Sequence, residues 1–207
     1  TLYKLKTNIK NFKTPKEFKF SSIQNNVGEN FLTKIGVKKN QKIICLIIRD
    51  GNYKKKYSNN KKKNWDYHAY RNADLDTYLK TIKYLNNKRY FVIRMGKGAE
   101  KVLTYKHPMY FDYAKSNIRS DFLDFWIYSK SFMSIATGTG IDALSSVYRI
   151  PTVFTNYNLI GHIRVANIKN ISIFKKVKNI KKNKYLNLKE LINIFFFKDT
   201  SILAKKN

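Results

Sequence analysis

The chain is poor in the residues that staple or bend a backbone: its 207 residues include one cysteine, three prolines and eight glycines. With Cys45 alone no intrachain disulfide can form, and a reducing cytoplasm is the expected setting. So little Gly and Pro excludes collagen-like and low-complexity chains. No apolar run approaches the ~20 residues of a membrane-spanning helix, the longest being residues 43–48 and 191–197. The first ten residues alternate polar and apolar, without the apolar stretch of a secretory signal. Acidic residues are also scarce, 13 Asp and Glu against 42 Lys and Arg, for a formal net charge of +29. What the chain does have is 43% apolar and 15% aromatic residues, enough to bury the core of one α/β domain. Disorder throughout is thereby excluded. Opening on Thr1 rather than Met, the chain is expected to belong to something longer.

The charge is unevenly placed. Residues 66–165 hold eight of the 13 acidic residues but only 14 of the 42 basic ones. The surplus sits in the lead-in, in residues 54–63 (KKKYSNNKKK) and in residues 175–184 (KKVKNIKKNK). Only seven of the basic residues are Arg, and Lys, Asn, Ile, Tyr and Phe dominate, the residues AT-rich codons supply. A solvated Lys-rich surface is the plainer account of this charge; contact with an anionic membrane or polyanion is the other.

Periodicity predicts alternating helices and strands. Residues 42–49 (KIICLIIR) and 89–94 (RYFVIR) are near-continuous apolar runs of the kind found in strands covered on both faces. Shorter strands are expected at 109–113, 131–136 and 151–155. Helices are expected at 30–36, 74–87, 119–128, 141–148 and 185–197, and a polar loop from about 50 to 70. The expected architecture is an open, mostly parallel, doubly wound α/β sheet, Rossmann-like, with helices on both faces. Residues 1–27 read as a basic lead-in or linker, 28–165 as the domain, and 166–207 as a basic C-terminal segment with a terminal helix.

Two strand endings match: one finishes in Arg49-Asp50-Gly51, another in Arg94-Met95-Gly96. In a doubly wound sheet the carboxyl ends of the strands line the ligand crevice, where two guanidinium groups beside glycines suit a phosphate-rich ligand. The alternative is that Arg49 and Arg94 pair with Asp50, Asp112 or Asp124 and cap the sheet. A second feature is the turn Thr137-Gly138-Thr139-Gly140 between a strand and a helix. Its amides, the helix end and two hydroxyls could cradle an anion, or it could be a plain turn. It is neither a P-loop nor a full G-x-G-x-x-G. His68-Ala69-Tyr70-Arg71-Asn72 is a candidate lid over the crevice. His68, His107 and His162 share no metal-ligand spacing with Cys45, so no metal site is expected. Ser145 and Ser146 lack the elbow of a hydrolase nucleophile.

The order of segments 110–113, 121–128, 131–140, 141–148 and 150–156 resembles the nucleotide-sugar-binding half of GT-B glycosyltransferases. Tyr70-Arg71-Asn72, Arg94-Met95-Gly96, Asp112-Tyr113-Ala114, residues 120–124 and Gly138-x-Gly140 are similar to bacterial glycosyltransferases of surface polysaccharides. The Arg49-Asp50 ending is similar to the strand-end Arg of fucosyltransferases. The resemblance covers about residues 28–161. It implies a C-terminal donor domain, with the base and ribose near Met109, Tyr110, Asp112 and Asp142. The diphosphate would lie against Arg49, Arg94, Gly96, Thr137, Gly138, Thr139 and Gly140, and Tyr70, Arg71 and Asn72 would face the lid or acceptor side.

The resemblance further implies transfer from a nucleotide-diphosphate sugar to a glycan or lipid-linked acceptor, with no metal or other cofactor. The glutamate many such enzymes carry after the glycine turn is replaced here by Leu144-Ser145-Ser146, leaving Asp142 nearby. The usual catalytic base and acceptor site belong to an N-terminal Rossmann half, which residues 1–40 are too short to form, so the chain is expected to be incomplete as a catalyst. The expected location is cytoplasmic, with the basic flanks on an anionic inner membrane face and no specific nucleic acid partner. The competing readings are a basic nucleic-acid- or polyanion-binding protein and a non-catalytic nucleotide-binding module.

Overall fold

A computed structural model of the chain describes residues 19–59, 66–157, 163–164 and 167–195. Most of the expected lead-in, lysines 61–63, Gly161, His162, Val165 and positions 196–207 lie outside these, as does the side chain of His68. The order of elements is α1 (Ser22–Lys34), β1 (Ile43–Ile47), α2 (Asn52–Tyr57), α3 (Leu79–Asn87), β2 (Phe91–Met95) and β3 (Tyr110–Phe111). Then follow α4 (Asp121–Ser129), β4 (Met133–Ala136), α5 (Leu144–Val147), β5 (Thr152–Tyr157), β6 (Ile171–Phe174), β7 (Lys178–Asn179), β8 (Lys184–Tyr185) and α6 (Leu188–Phe195). Six strands form one sheet in the order β3-β2-β1-β4-β5-β6, and every neighbouring pair is parallel. This is the α/β, Rossmann-like, doubly wound fold. A small antiparallel pair, β7–β8, stands apart from it.

The apolar run of β1 is explained by its place in the middle. Ile43, Cys45 and Ile47 pack with Phe31 of α1, Leu123, Trp126 and Ile127 of α4 and Leu144 of α5. Ile44 and Leu46, pointing the other way, pack with Ile82 and Leu85 of α3 and with Leu75 in the 3-10 turn before it. Alternate residues of one strand thus feed two cores, so both sets must be apolar. The Cys45 thiol, fully buried there, has its pKa pushed up to about 12 by that burial.

Three parts of the fold differ from the sequence-based expectation. The first helix begins at Ser22, inside the expected linker. Ser21 and Gln24 form a reciprocal capping box, with Gln24 N donating to Ser21 Oγ at 3.2 Å and Ser21 N to Gln24 Oε1 at 2.9 Å. The residues after Gly51 form α2 instead of continuing as loop. The sheet also runs past residue 165, because Ile171, Ser172 and Phe174 pair with Val153, Phe154 and Tyr157. The β-branched stretch at 171–174 satisfies the ladder there, and the neighbouring lysine run concealed it.

Gly28 sets how closely α1 approaches α4. A Cβ at this position would come within 2.1 Å of the Trp126 ring, whose Nε1 donates to Asn25 of α1 at 3.1 Å. Gly28→Ala should therefore lower stability by about 1–3 kcal/mol despite alanine's better helix propensity, read as a lower urea midpoint with an unchanged slope. A thiol reagent at pH 8 should label Cys45 only after unfolding.

Candidate functional site

The strand order reverses between β1 and β4, so the crevice between their carboxyl ends is the place where a doubly wound sheet receives a ligand. Three contacts lock the two ends. Thr137 N donates to Ile47 O at 3.1 Å, Arg49 N donates to Thr137 Oγ1 at 2.9 Å, and the Thr137 hydroxyl donates to Ile47 O at 3.4 Å. Asp50 then joins β1 to β2, its two carboxylate oxygens accepting from Asn52 N at 3.1 Å and Glu100 N at 2.8 Å. Gly51 turns the chain into α2 at φ +77°, with Asn72 Nδ2 2.7 Å from where a Cβ would stand.

Residues 69–73 run along this edge. Ala73 N donates to Arg49 O at 2.9 Å, and Asn156 Nδ2, from the end of β5, donates to Asn72 O at 3.0 Å. The Arg49 Nε reaches Asn72 Oδ1 at 3.3 Å, and Arg71 Nη2 reaches Gly138 O at 2.9 Å. The expected lid thus lies against the end of β1 and supplies a second guanidinium to the crevice. Burial, followed by the charge of Arg71, lowers the pKa of Arg49.

The arginines of the carboxyl edge divide into two kinds. Arg94 pairs with Asp112 at 2.8 Å, Arg119 pairs with Asp124, and Arg164 pairs with Asp142 at 2.9 Å. Among the described residues neither Arg49 nor Arg71 has a carboxylate within 4.0 Å. Asp50 acts on Arg49 and Asp142 on Arg71 only from beyond direct contact, so two neighbouring cations without a direct ion pair leave room for a further anion.

Several expected ligands are engaged elsewhere. Arg94 is 1% exposed; its Nη1 donates to Lys101 O at 2.6 Å and to Asp112 Oδ2, so it caps the β2 end from beneath and is not presented to the crevice. Burial raises the pKa of Asp112, and the charge of Arg94 opposes that. The pairing considered as the alternative for Arg94 is the one observed. Gly96, at φ +148°, lies at the same strand end against Ala114. Met109 and Tyr110 pack into the two cores, and the Met109 carbonyl accepts from Val92 N and from Asn86 Nδ2. Three of the expected base and ribose residues, Met109, Tyr110 and Asp112, therefore lie at the β3 edge, two strands from the crevice.

The glycine turn also differs from the expected anion cradle. Residues 141–143 form a 3-10 turn and α5 has only four residues, too short for a helix dipole of consequence. The amide of Thr139 donates to Asp142 Oδ2 at 2.6 Å, so a carboxylate of the chain already occupies the turn. Asp142 is wholly buried, which excludes it as a ribose ligand in this conformation. Burial raises its pKa, with Arg164 and the Thr139 amide opposing. Gly138, at φ +76°, needs glycine for its backbone; Gly140, at a helical φ of −70°, does not, and a Cβ there would meet nothing within 4 Å.

The crevice thus combines Arg49, Arg71, Asn72, Thr137 and Gly138, while the buried Arg94 and the half-buried Tyr110 and Asp112 form a separate group. Sequence reasoning missed Asn156, Arg164 and the clamping role of Asp50. Only Asp50, preceding a glycine at a strand end, carried a local signal. Among the described residues no three His, Cys, Asp or Glu side chains gather as a metal site, and no helix is long and apolar enough to cross a membrane.

No protein-family model matches the chain, and no curated protein matches it. Among solved structures it is similar to the ADP-heptose lps heptosyltransferase II of E. coli, at 10% identity and a TM-score of 0.47. That similarity covers 90% of this chain and 50% of the other, so the chain spans about half the length of that protein. The fold is assigned from the strand order and the parallel pairing.

Arg94→Met would leave Asp112 without its partner. It should cost about 3 kcal/mol, measured by chemical denaturation as a lower midpoint.

Proposed function

We propose that the chain is the donor-binding half of a glycosyltransferase that takes its sugar from a nucleoside-diphosphate sugar. One observation carries the reading: Arg49 and Arg71 come together at the β1/β4 switch point and, among the described residues, neither has a carboxylate within 4.0 Å. A diphosphate supplies the missing charge and fits the planar, forked donors of two guanidiniums.

In the proposed reaction the bond between the anomeric carbon and the diphosphate oxygen breaks as an acceptor oxygen attacks that carbon. The diphosphate leaves with additional negative charge, and Arg49 and Arg71 stabilise it there without a metal. Asn72 holds Arg49 in place, and the Gly138 carbonyl holds Arg71. Gly140, with no Cβ in open space, leaves room for the ligand beside the turn. The acceptor, a glycan or lipid-linked sugar of the cell envelope, and the base that takes its proton belong in this reading to a second Rossmann half. The Lys-rich C-terminal segment would hold the chain to an anionic cytoplasmic membrane face.

A thermal-shift titration in ~0.15 M salt with UDP, GDP, CDP and ADP tests the donor reading. A diphosphate at about 100 times its dissociation constant adds about 2.7 kcal/mol, a readily measured rise in midpoint. The rise should occur with one base above the others, persist in a chelator and disappear in Arg71→Ala. No rise with any nucleotide, together with steeply salt-dependent binding of a short duplex, would replace this reading with polyanion binding through the lysines.

A further inference from the structure

The diphosphate reading leaves unused a pair of exposed aromatic side chains on the helix that follows Arg49-Asp50-Gly51. Tyr53 and Tyr57 stand four residues apart on one face of α2, their ring centroids 5.2 Å apart and their planes inclined by 37°. They are 52% and 45% exposed, on the helix that directly follows Arg49-Asp50-Gly51. Their position is built. Asn52 Nδ2 donates to Gly98 O at 2.8 Å, tying α2 to the loop after β2. Gly98, at φ +71°, presses against Tyr57 so closely that a Cβ there would lie 2.6 Å from Cε2. Lys97 places its ammonium 5.5 Å from the Tyr57 ring centre and reaches Asp121 at 3.4 Å.

On its other side α2 turns Lys54 and Lys55 into a cleft that it shares with Arg49, Asp50, Asp66 and Asn72, where Lys55 pairs with Asp66 at 3.4 Å. One short helix thus carries an aromatic pair on one face and lines a polar cleft with the other. Tyr53 follows Arg49 by four residues, and Asn52 N is tied to Asp50 Oδ1 at 3.1 Å, so the aromatic pair starts beside the β1 end that carries Arg49. A planar base offers a π-face of the kind that stacks on exposed tyrosines without sequence-specific hydrogen bonds.

We infer that Tyr53 and Tyr57 form the stacking platform for the base of the nucleotide whose diphosphate Arg49 and Arg71 receive. The inference rests on the donor reading above, and it moves the base from Met109 and Tyr110 on the β3 edge to α2.

Calorimetric titration of the full chain with the preferred nucleoside diphosphate and with inorganic pyrophosphate separates the two claims. The double variant Tyr53→Ala/Tyr57→Ala should bind the nucleoside diphosphate about 5- to 150-fold more weakly. Its affinity for pyrophosphate should be unchanged, and Tyr57→Phe, which keeps the ring, should bind both as the parent does. An undiminished nucleoside diphosphate affinity in the double variant overturns the platform and leaves the diphosphate site standing. So does a parent chain that binds pyrophosphate as tightly as the nucleoside diphosphate. Loss of pyrophosphate affinity in the double variant marks the tyrosines as structural and also overturns it. A parent chain that binds neither ligand overturns the platform and the donor reading together.

Discussion

Everything at the carboxyl edge depends on how the end of β1 is joined to the end of β4. Thr137 serves that junction twice, its amide donating to Ile47 O and its hydroxyl accepting from Arg49 N. The junction lies where the strand order reverses, so the chain leaves it in opposite directions and opens a crevice. Asp50 extends the same order to β2, and Asn156 extends it from β5 to Asn72. The positions of both unpaired guanidiniums follow from this frame. Arg49 continues the fixed backbone of β1, and Arg71 is anchored on the carbonyl of Gly138.

The total charge of the chain says little about the site. Lysines supply nearly all of it, and they concentrate in segments that contribute little to either core. The informative distinction is among arginines, and it rests on pairing. Arg94 and Arg119 look as available in the sequence as Arg49 does, yet each is held by a carboxylate from the following turn or helix. Burying a guanidinium is tolerable only with such a partner, so the paired arginines organise the protein's interior and the unpaired ones face outward, toward whatever anion arrives.

The central strands were legible because their burial on both faces leaves a continuous apolar run, as at residues 43–48 and 91–93. The turn at 137–140 was legible as a turn because Gly138 adopts a left-handed backbone. The places where the structure differs from the leading expectation have physical causes. Arg94 and Arg49 follow the same local pattern, and what separates them is Asp112, 18 residues away just past β3. Asp142 lies only two residues beyond Gly140, but its capture by the Thr139 amide depends on residues 141–143 closing as a 3-10 turn instead of an α-helix. The strand at 171–174 and the helix start at Ser22 lay within segments whose lysine content drew the eye to charge, although Ser21-x-x-Gln24 was a readable capping signal.

Asp142 has a consequence for ligand exchange. With its own carboxylate seated among the turn's amides and neutralised by Arg164, the loop is complete before anything binds and is left complete when the ligand departs. No segment there must be ordered on arrival, which removes one of the usual entropic penalties of association. In the proposed reading an arriving diphosphate would meet two guanidiniums already braced by Asn72 and Gly138, on a backbone that need not move. Such an occupant would dock on a finished surface and could leave it unchanged, a combination suited to a compound that must be released once in every turnover.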